Sequence, residues 1–270
     1  MNAVAGLLRT QDLTVRFGGV IANHNIAIGV DAGQVVGLIG PNGAGKTTFV
    51  DAITGYVSST GTIELDGADI RPLPAHERVR RGLVRTFQSL ELFEDLSVED
   101  NLLVAAQPAR RFDALLDMIW PNRVSAGVRE QVDRCLALVG LTDVRDHSPS
   151  SLSQGQRKLV GVARALAARP RLLLLDEPAA GLDTVESQVF GRQLRGLPAS
   201  GASVLLIDHD MGLVLSVCDY LYVLDFGAVI AQGTPAEIRQ NPAVIQAYLG
   251  ESAGTAQEAA RALLAEEAGE

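Results

Sequence analysis

Eight consecutive residues, Gly40-Pro41-Asn42-Gly43-Ala44-Gly45-Lys46-Thr47, carry the strongest chemical signal in this sequence. They follow a short apolar run, Val35–Ile39, the pattern of a strand buried on both faces. They open a helical stretch from about Lys46 to Ile53, closed by Gly55. Glycines at 40, 43 and 45 let successive backbone N–H groups turn inward and chelate phosphate oxygens, and the helix N-terminus adds positive potential. The cradle takes in Asn42, Ala44 and Thr48 as well. Lys46 is expected to bridge the β- and γ-phosphates of a nucleotide, with the Thr47 hydroxyl on Mg²⁺. With average residue frequencies, such a match arises by chance in roughly 1–2% of chains this long.

A second signal is the pair Asp176-Glu177, directly after the apolar run Leu172–Leu175. Ligands of open parallel sheets bind at the carboxyl ends of the strands, where these acids would sit. Asp176 would hold Mg²⁺ directly or through water, and Glu177 would polarise an attacking water as general base. Alone, an apolar run ending in two acids is weak. Beside the phosphate loop it points to nucleotide hydrolysis.

Placing both motifs at one edge needs an α/β scaffold. Gln11–Phe17 and Ile26–Val30 read as strands, with Gly18-Gly19 as a turn, and Thr62–Leu65 and Ala68–Ile70 as a hairpin around Asp66-Gly67. From about Glu99 to Asp146 the texture becomes helical, with Arg111–Trp120 and Arg129–Val139 as amphipathic candidates. Val204–Ile207 reads as another buried strand, separated from Leu172–Leu175 by helical sequence around Thr184–Leu197. Tyr220–Leu224 and Ala228–Ala231 flank Phe226-Gly227, and Thr234-Pro235-Ala236-Glu237 starts a helix with N-cap, N1 proline and N3 glutamate. Beyond Gly250 an Ala/Glu-rich tail, 251–270, is expected to fray.

Composition narrows the setting. The 270 residues carry 23 Lys+Arg against 32 Asp+Glu, a net charge of −9 that argues against a general nucleic-acid binder. Mean hydropathy is +0.17, yet no run approaches the ~20 apolar residues of a membrane span. Met1–Thr10 lacks the charged-then-apolar pattern of a signal peptide, so a cytosolic chain is expected. Cys135 and Cys218 sit in apolar periodic stretches and read as core thiols. The basic cluster Arg78, Arg80, Arg81 and Arg85 reads as a solvated face. The stripe Arg111–Trp120 reads as packing on neighbouring helices, with docking on a membrane domain as the other reading.

Between the two motifs lies Leu152-Ser153-Gln154-Gly155-Gln156-Arg157, which resembles the signature loop of ATP-binding-cassette (ABC) ATPases, usually Leu-Ser-Gly-Gly-Gln. Gln154 stands where that family has glycine, adding bulk near the γ-phosphate while Ser153 and Gly155 are kept. The resemblance extends from Leu8 to about Gly250. It implies Phe17 stacking on adenine, Gln88 sensing Mg²⁺ and the attacking water, and Asp183 in the loop coupling two sites. It also implies His209 as the switch histidine on the γ-phosphate, and Ser153, Gly155 and Gln156 reaching ATP held by a second subunit. The fold implied is a P-loop NTPase with a RecA-like core, an antiparallel β subdomain and a helical insertion over about 89–160, within an ATPase domain spanning 1–250.

The phrasing Glu177-Pro178-Ala179-Ala180-Gly181-Leu182, Asp208-His209-Asp210-Met211 and the ending Gln232-Gly233-Thr234-Pro235 to Ala247-Tyr248-Leu249-Gly250 is similar to ATPases of branched-chain amino-acid importers. Lipopolysaccharide-export and urea/amide-import ATPases share much of it. The implied protein is an ATP- and Mg²⁺-using motor on the cytoplasmic side of a membrane. Its implied partners are a second ATPase subunit, like or unlike, transmembrane permeases and, for an importer, a substrate-binding protein. A soluble cassette for DNA repair or translation lacks its long insertions or second cassette here. A P-loop GTPase lacks its Asn-Lys-x-Asp motif, and a binding-only cassette is opposed by the intact Lys46, Asp176, Glu177 and His209.

Overall fold

The structure, a computed structural model, describes residues 6–86, 92–107 and 124–249. Two sheets organise these residues. An antiparallel sheet is built from β1 (Leu8–Phe17), β2 (Val20–Ile26), β5 (Thr60–Leu65) and β6 (Ala68–Asp69), in the order β2-β1-β5-β6, with β3 (Gly29–Val30) also paired to β1. The second sheet adds β4 (Val35–Ile39), β7 (Leu83–Thr86), β8 (Leu172–Asp176), β9 (Ser203–Ile207), β10 (Tyr220–Asp225) and β11 (Ala228–Gly233). Its order is β11-β10-β4-β9-β8-β7, parallel throughout except for β11.

Parallel strands covered on both faces need apolar side chains in both directions, and β4 and β9 are buried at every position. Alternate residues enter different cores. Leu172, Leu174, Leu205 and Ile207 pack with Phe49, Val50 and Ile53 of helix α1 (Lys46–Thr54) and with the antiparallel sheet. Leu173, Leu175, Val204 and Leu206 face the other way. There they meet α5 (Gln154–Ala167), α6 (Thr184–Arg195) and α7 (Met211–Val217). The same core contains Val98 and Leu102 of α3 (Val98–Ala106), and Val132, Cys135 and Leu136 of α4 (Ala126–Leu138). A short α2 (Ala75–Arg80) precedes β7, and α8 (Pro235–Arg239) and α9 (Pro242–Leu249) follow β11. Each of Leu172–Leu175 is fully buried, and burial of a leucine side chain contributes about 1.5–3 kcal/mol.

Several expectations meet their structural counterparts. Asp66-Gly67 joins β5 to β6 as a two-residue turn, and Thr234 and Glu237 form a capping box with Pro235 inside it. Both cysteines are buried, with burial raising the Cys135 thiol to about 11. Two strands escaped the sequence reading: β7, only four residues long, and β2, an edge strand after Gly18-Gly19 whose mostly exposed residues show no apolar run. The solvated-face reading of the basic cluster is corrected in part. Arg80 and Arg81 are exposed, but Arg78 is 4% exposed and donates to the carbonyls of Ala52, Ile53, Leu73 and Arg71. It thereby satisfies the open carbonyl end of α1, a place where a cation is favoured. Gln88, Arg111–Trp120 and the tail 251–270 lie outside the described residues. Among the described residues, no helix is long and apolar enough to cross a membrane.

Candidate functional site

The phosphate loop joins β4 to α1 at the carboxyl edge of the parallel sheet. Its glycines are fixed by crowding as well as by backbone angle. A Cβ on Gly40 (φ +150°) would lie 2.0 Å from the Leu224 carbonyl oxygen, and one on Gly45 (φ +99°) 2.6 Å from Asn23 Nδ2. Gly43 faces open space and Ala44 is buried. The buried Lys46 turns its ammonium into the loop and donates to the carbonyls of Gly40 at 2.6 Å and Pro41 at 2.9 Å. Thr47 is exposed and Thr48 half-buried on the first turn of α1.

Two strands away, β8 ends in Asp176, and Glu177 follows with φ +46°. A left-handed backbone at a non-glycine residue costs on the order of 1–3 kcal/mol, and such outliers cluster at functional sites. The conformation is held by a 2.7 Å hydrogen bond from Glu177 N to the Ile207 carbonyl, at the end of β9. Two residues beyond that carbonyl, His209 Nδ1 lies 3.8 Å from Glu177 Oε1. The structure thus brings both carboxylates and the histidine to the ends of neighbouring strands.

Asp208 makes this junction rigid, and sequence reasoning passed over it. Its carboxylate accepts backbone N–H bonds from His209 (2.8 Å), Asp210 (3.0 Å) and Ala179 (3.3 Å), tying the loop after β8 to the loop after β9. Burial raises its pKa above the usual aspartate value, against the pull of those donors. The signal was present in Asp208-His209-Asp210: short acids after a strand seek backbone N–H groups. Lys158 was also missed. It is buried on α5, and desolvation lowers its pKa while Asp208 acts in the opposite sense.

A cavity of about 640 Å³ opens beside these loops, lined by Gly40, Asn42, Gly181, Leu182, Asp183, Asp208 and His209 among others. Asp183 caps α6, accepting from Glu186 N at 2.8 Å. Ser153, Gly155 and Gln156 do not line the cavity. Ser153 is the N-cap of α5 in a capping box with Gln156, and Gly155 is buried near Glu186. The Gln154 side chain lies against Gly181 of the same chain, 2.9 Å from where a Cβ would sit. Phe17 also stands apart from the cavity, half exposed at the tip of the β1–β2 hairpin.

The oxygen donors suit a hard divalent cation. Thr47 and Asp51 lie one turn apart on α1, and Arg85 on β7 donates to both Asp51 and Asp176 at 2.6 Å. Hydroxyl and carboxylate oxygens are the ligand types that Mg²⁺ takes beside water and phosphate. Among the described residues no group of three or more His, Cys, Asp or Glu is arranged to hold a metal.

Comparison with known proteins agrees with this geometry. A family profile described as "ABC transporter" matches residues 23–180, and "Branched-chain amino acid ATP-binding cassette transporter" matches 228–254. The high-affinity branched-chain amino acid transport ATP-binding protein BraF of Pseudomonas aeruginosa is 41% identical over 91% of this chain and 98% of its own. LivG of Salmonella typhimurium and of Escherichia coli, described in the same words, are 39% and 38% identical with the same coverage. The solved ADP conformation of MJ1267, an ATP-binding cassette of an ABC transporter, superposes with a TM-score of 0.79 at 31% identity, covering 91% of this chain and 99% of that one. CbiO1 from Clostridium perfringens, part of the ABC transporter complex cbiONQ, gives 0.73 at 26%, covering 91% and 95%. On this likeness the chain belongs to the ABC transporter family as one of its ATP-binding subunits.

Proposed function

We propose that this chain drives import of branched-chain or other amino acids, hydrolysing Mg²⁺·ATP at the cytoplasmic face of transmembrane permeases. The observation that carries the hydrolytic part is the convergence of Lys46, Glu177 and His209 at the ends of β4, β8 and β9. The cargo rests on the likeness to BraF and LivG. Urea/amide import and lipopolysaccharide export stand as the alternatives.

In this reading the backbone N–H groups of the loop from Asn42 to Thr48 hold the phosphates and Lys46 spans the β and γ groups. Thr47, Asp176 and Gln88 would hold Mg²⁺, which would neutralise charge on the phosphates. Glu177 takes up the proton of the attacking water, and His209 donates toward the γ-phosphate as negative charge develops there. Phe17 receives the adenine ring. Ser153, Gly155 and Gln156, which do not line the cavity beside the phosphate loop, serve the nucleotide of a second subunit, with Asp183 at the same interface. The ATPase domain spans 1–250 with helical residues about 89–160 as its subdomain, and 251–270 forms a tail. A substrate-binding protein delivers cargo outside the membrane.

Co-purification from solubilised membranes, followed by an ATPase assay with candidate cargoes, tests this reading. The expected result is recovery with permease chains and stimulation of hydrolysis by a branched-chain amino acid. Recovery only in the soluble fraction, or stimulation by urea alone, overturns it.

A further inference from the structure

Phe226 is the most exposed large apolar side chain among the described residues, at 92%. It is the first of two residues, Phe226-Gly227, that join β10 to β11 with Asp225 paired to Ala228. Both have positive φ, +42° and +76°. A two-residue hairpin of this kind favours Asn-Gly or Asp-Gly, and a bulky side chain at positive φ is a steric outlier. The comparable turn elsewhere in the chain uses Asp66-Gly67, at +54° and +74°. Phe226 therefore carries two costs, backbone strain and exposed apolar surface.

The position of the turn supplies a reason. Gly227 N donates to the Ala44 carbonyl of the phosphate loop at 3.0 Å, and the Gly227 carbonyl accepts from His24 N at 2.8 Å. A Cβ on Gly227 would lie 2.5 Å from the Ala22 carbonyl oxygen, so the turn is pressed against β2. Ala22 is two residues from Val20, the cross-strand partner of Phe17. At ~3.3 Å per strand residue and two spacings of ~4.8 Å across β2, the two phenylalanine backbones are roughly 12–15 Å apart. Two exposed aromatic side chains thus stand on opposite sides of β2, with Phe226 in the turn that meets the phosphate loop.

Resting on the nucleotide reading above, we infer that Phe226 is a second base-contacting residue. It closes with Phe17 on the purine of the nucleotide whose phosphates the loop holds. Stacking accepts any flat base, so its effect falls on affinity for nucleotides as against bare phosphate chains.

Phe226→Asn tests this in the full chain, because asparagine suits the turn and the fold should melt at the same or a higher temperature. Titration calorimetry with ATP and with inorganic tripolyphosphate gives the readout. ATP affinity is expected to weaken about 5- to 30-fold while tripolyphosphate binding is unchanged. Phe226→Tyr should retain wild-type ATP affinity. An unchanged ATP affinity in Phe226→Asn, or equal weakening for ATP and tripolyphosphate, overturns the inference. A wild-type chain that binds neither ligand instead overturns the nucleotide reading itself.

Discussion

Arg85 donates through Nη2 to Asp176 Oδ2 at 2.6 Å, so the carboxylate ending β8 is held by a guanidinium from the adjacent strand β7. Its Nη1 reaches Asp51 of α1 at the same distance. Burial works against the arginine's charge, but the hydrogen bonds to Asp51 and Asp176 outweigh it and hold the pKa above the ordinary value. One side chain therefore sets the spacing between the helix of the phosphate loop and the carboxylate strand.

Replacing Arg85 with Gln leaves two carboxylates facing each other in a partly buried space. The expected cost is about 3 kcal/mol, in line with breaking a buried ion pair. For a chain of this size that lowers the melting temperature by roughly 6–12 °C. Thermal denaturation checks it, and adding Asp51→Asn should restore part of the loss. A melting temperature unchanged by Arg85→Gln would show that the bridge is solvated and inert.

Glu177→Gln keeps the size and the backbone of residue 177 but cannot accept a proton. Nucleotide binding should be preserved while phosphate release falls about 10²- to 10⁴-fold. Single-turnover phosphate release beside equilibrium ATP binding separates the two effects. Turnover within a few-fold of wild type removes Glu177 from the role of base.

Asp208→Asn turns on pH. In the native chain the Asp208 pKa is raised above 3.8, so the folded state holds this proton more tightly than the unfolded state. Ionisation of Asp208 therefore subtracts stability as pH rises from below 3.8 through the folded pKa, and asparagine removes that dependence. The amide group that replaces Oδ2 cannot accept from Ala179 N, a loss of about 1 kcal/mol. The variant should be less stable than wild type near pH 4, with the gap narrowing toward neutrality. Urea denaturation across that range checks the sign, and a gap that widens with pH contradicts it.

Motifs and strands were legible where one local rule decides. Val35–Ile39, Leu172–Leu175 and Val204–Ile207 are buried on both faces, and each is a short continuous apolar run. The phosphate loop follows from glycine at three positions, and the helix at Thr234 from its own capping box. What escaped depends on distant partners. β2 is an exposed edge strand fixed by pairing with β1 rather than by its own pattern. Arg78 and Arg85 look like surface charge until α1 and β8 are in place to receive them. The positive φ of Glu177 needs the Ile207 carbonyl, thirty positions away in sequence.

The alternation of β4 and β9 between two cores has a consequence for hydrogen exchange. Both strands are buried along their length and hydrogen-bonded to neighbours on either side. Their amides are released only when both cores separate, so their exchange reports the opening of the whole unit. The amides of β2, on an exposed edge, exchange through local opening instead. Slow exchange is thus expected at the ends of β4 and β9, where the phosphate loop and the histidine loop begin, and faster exchange along β2.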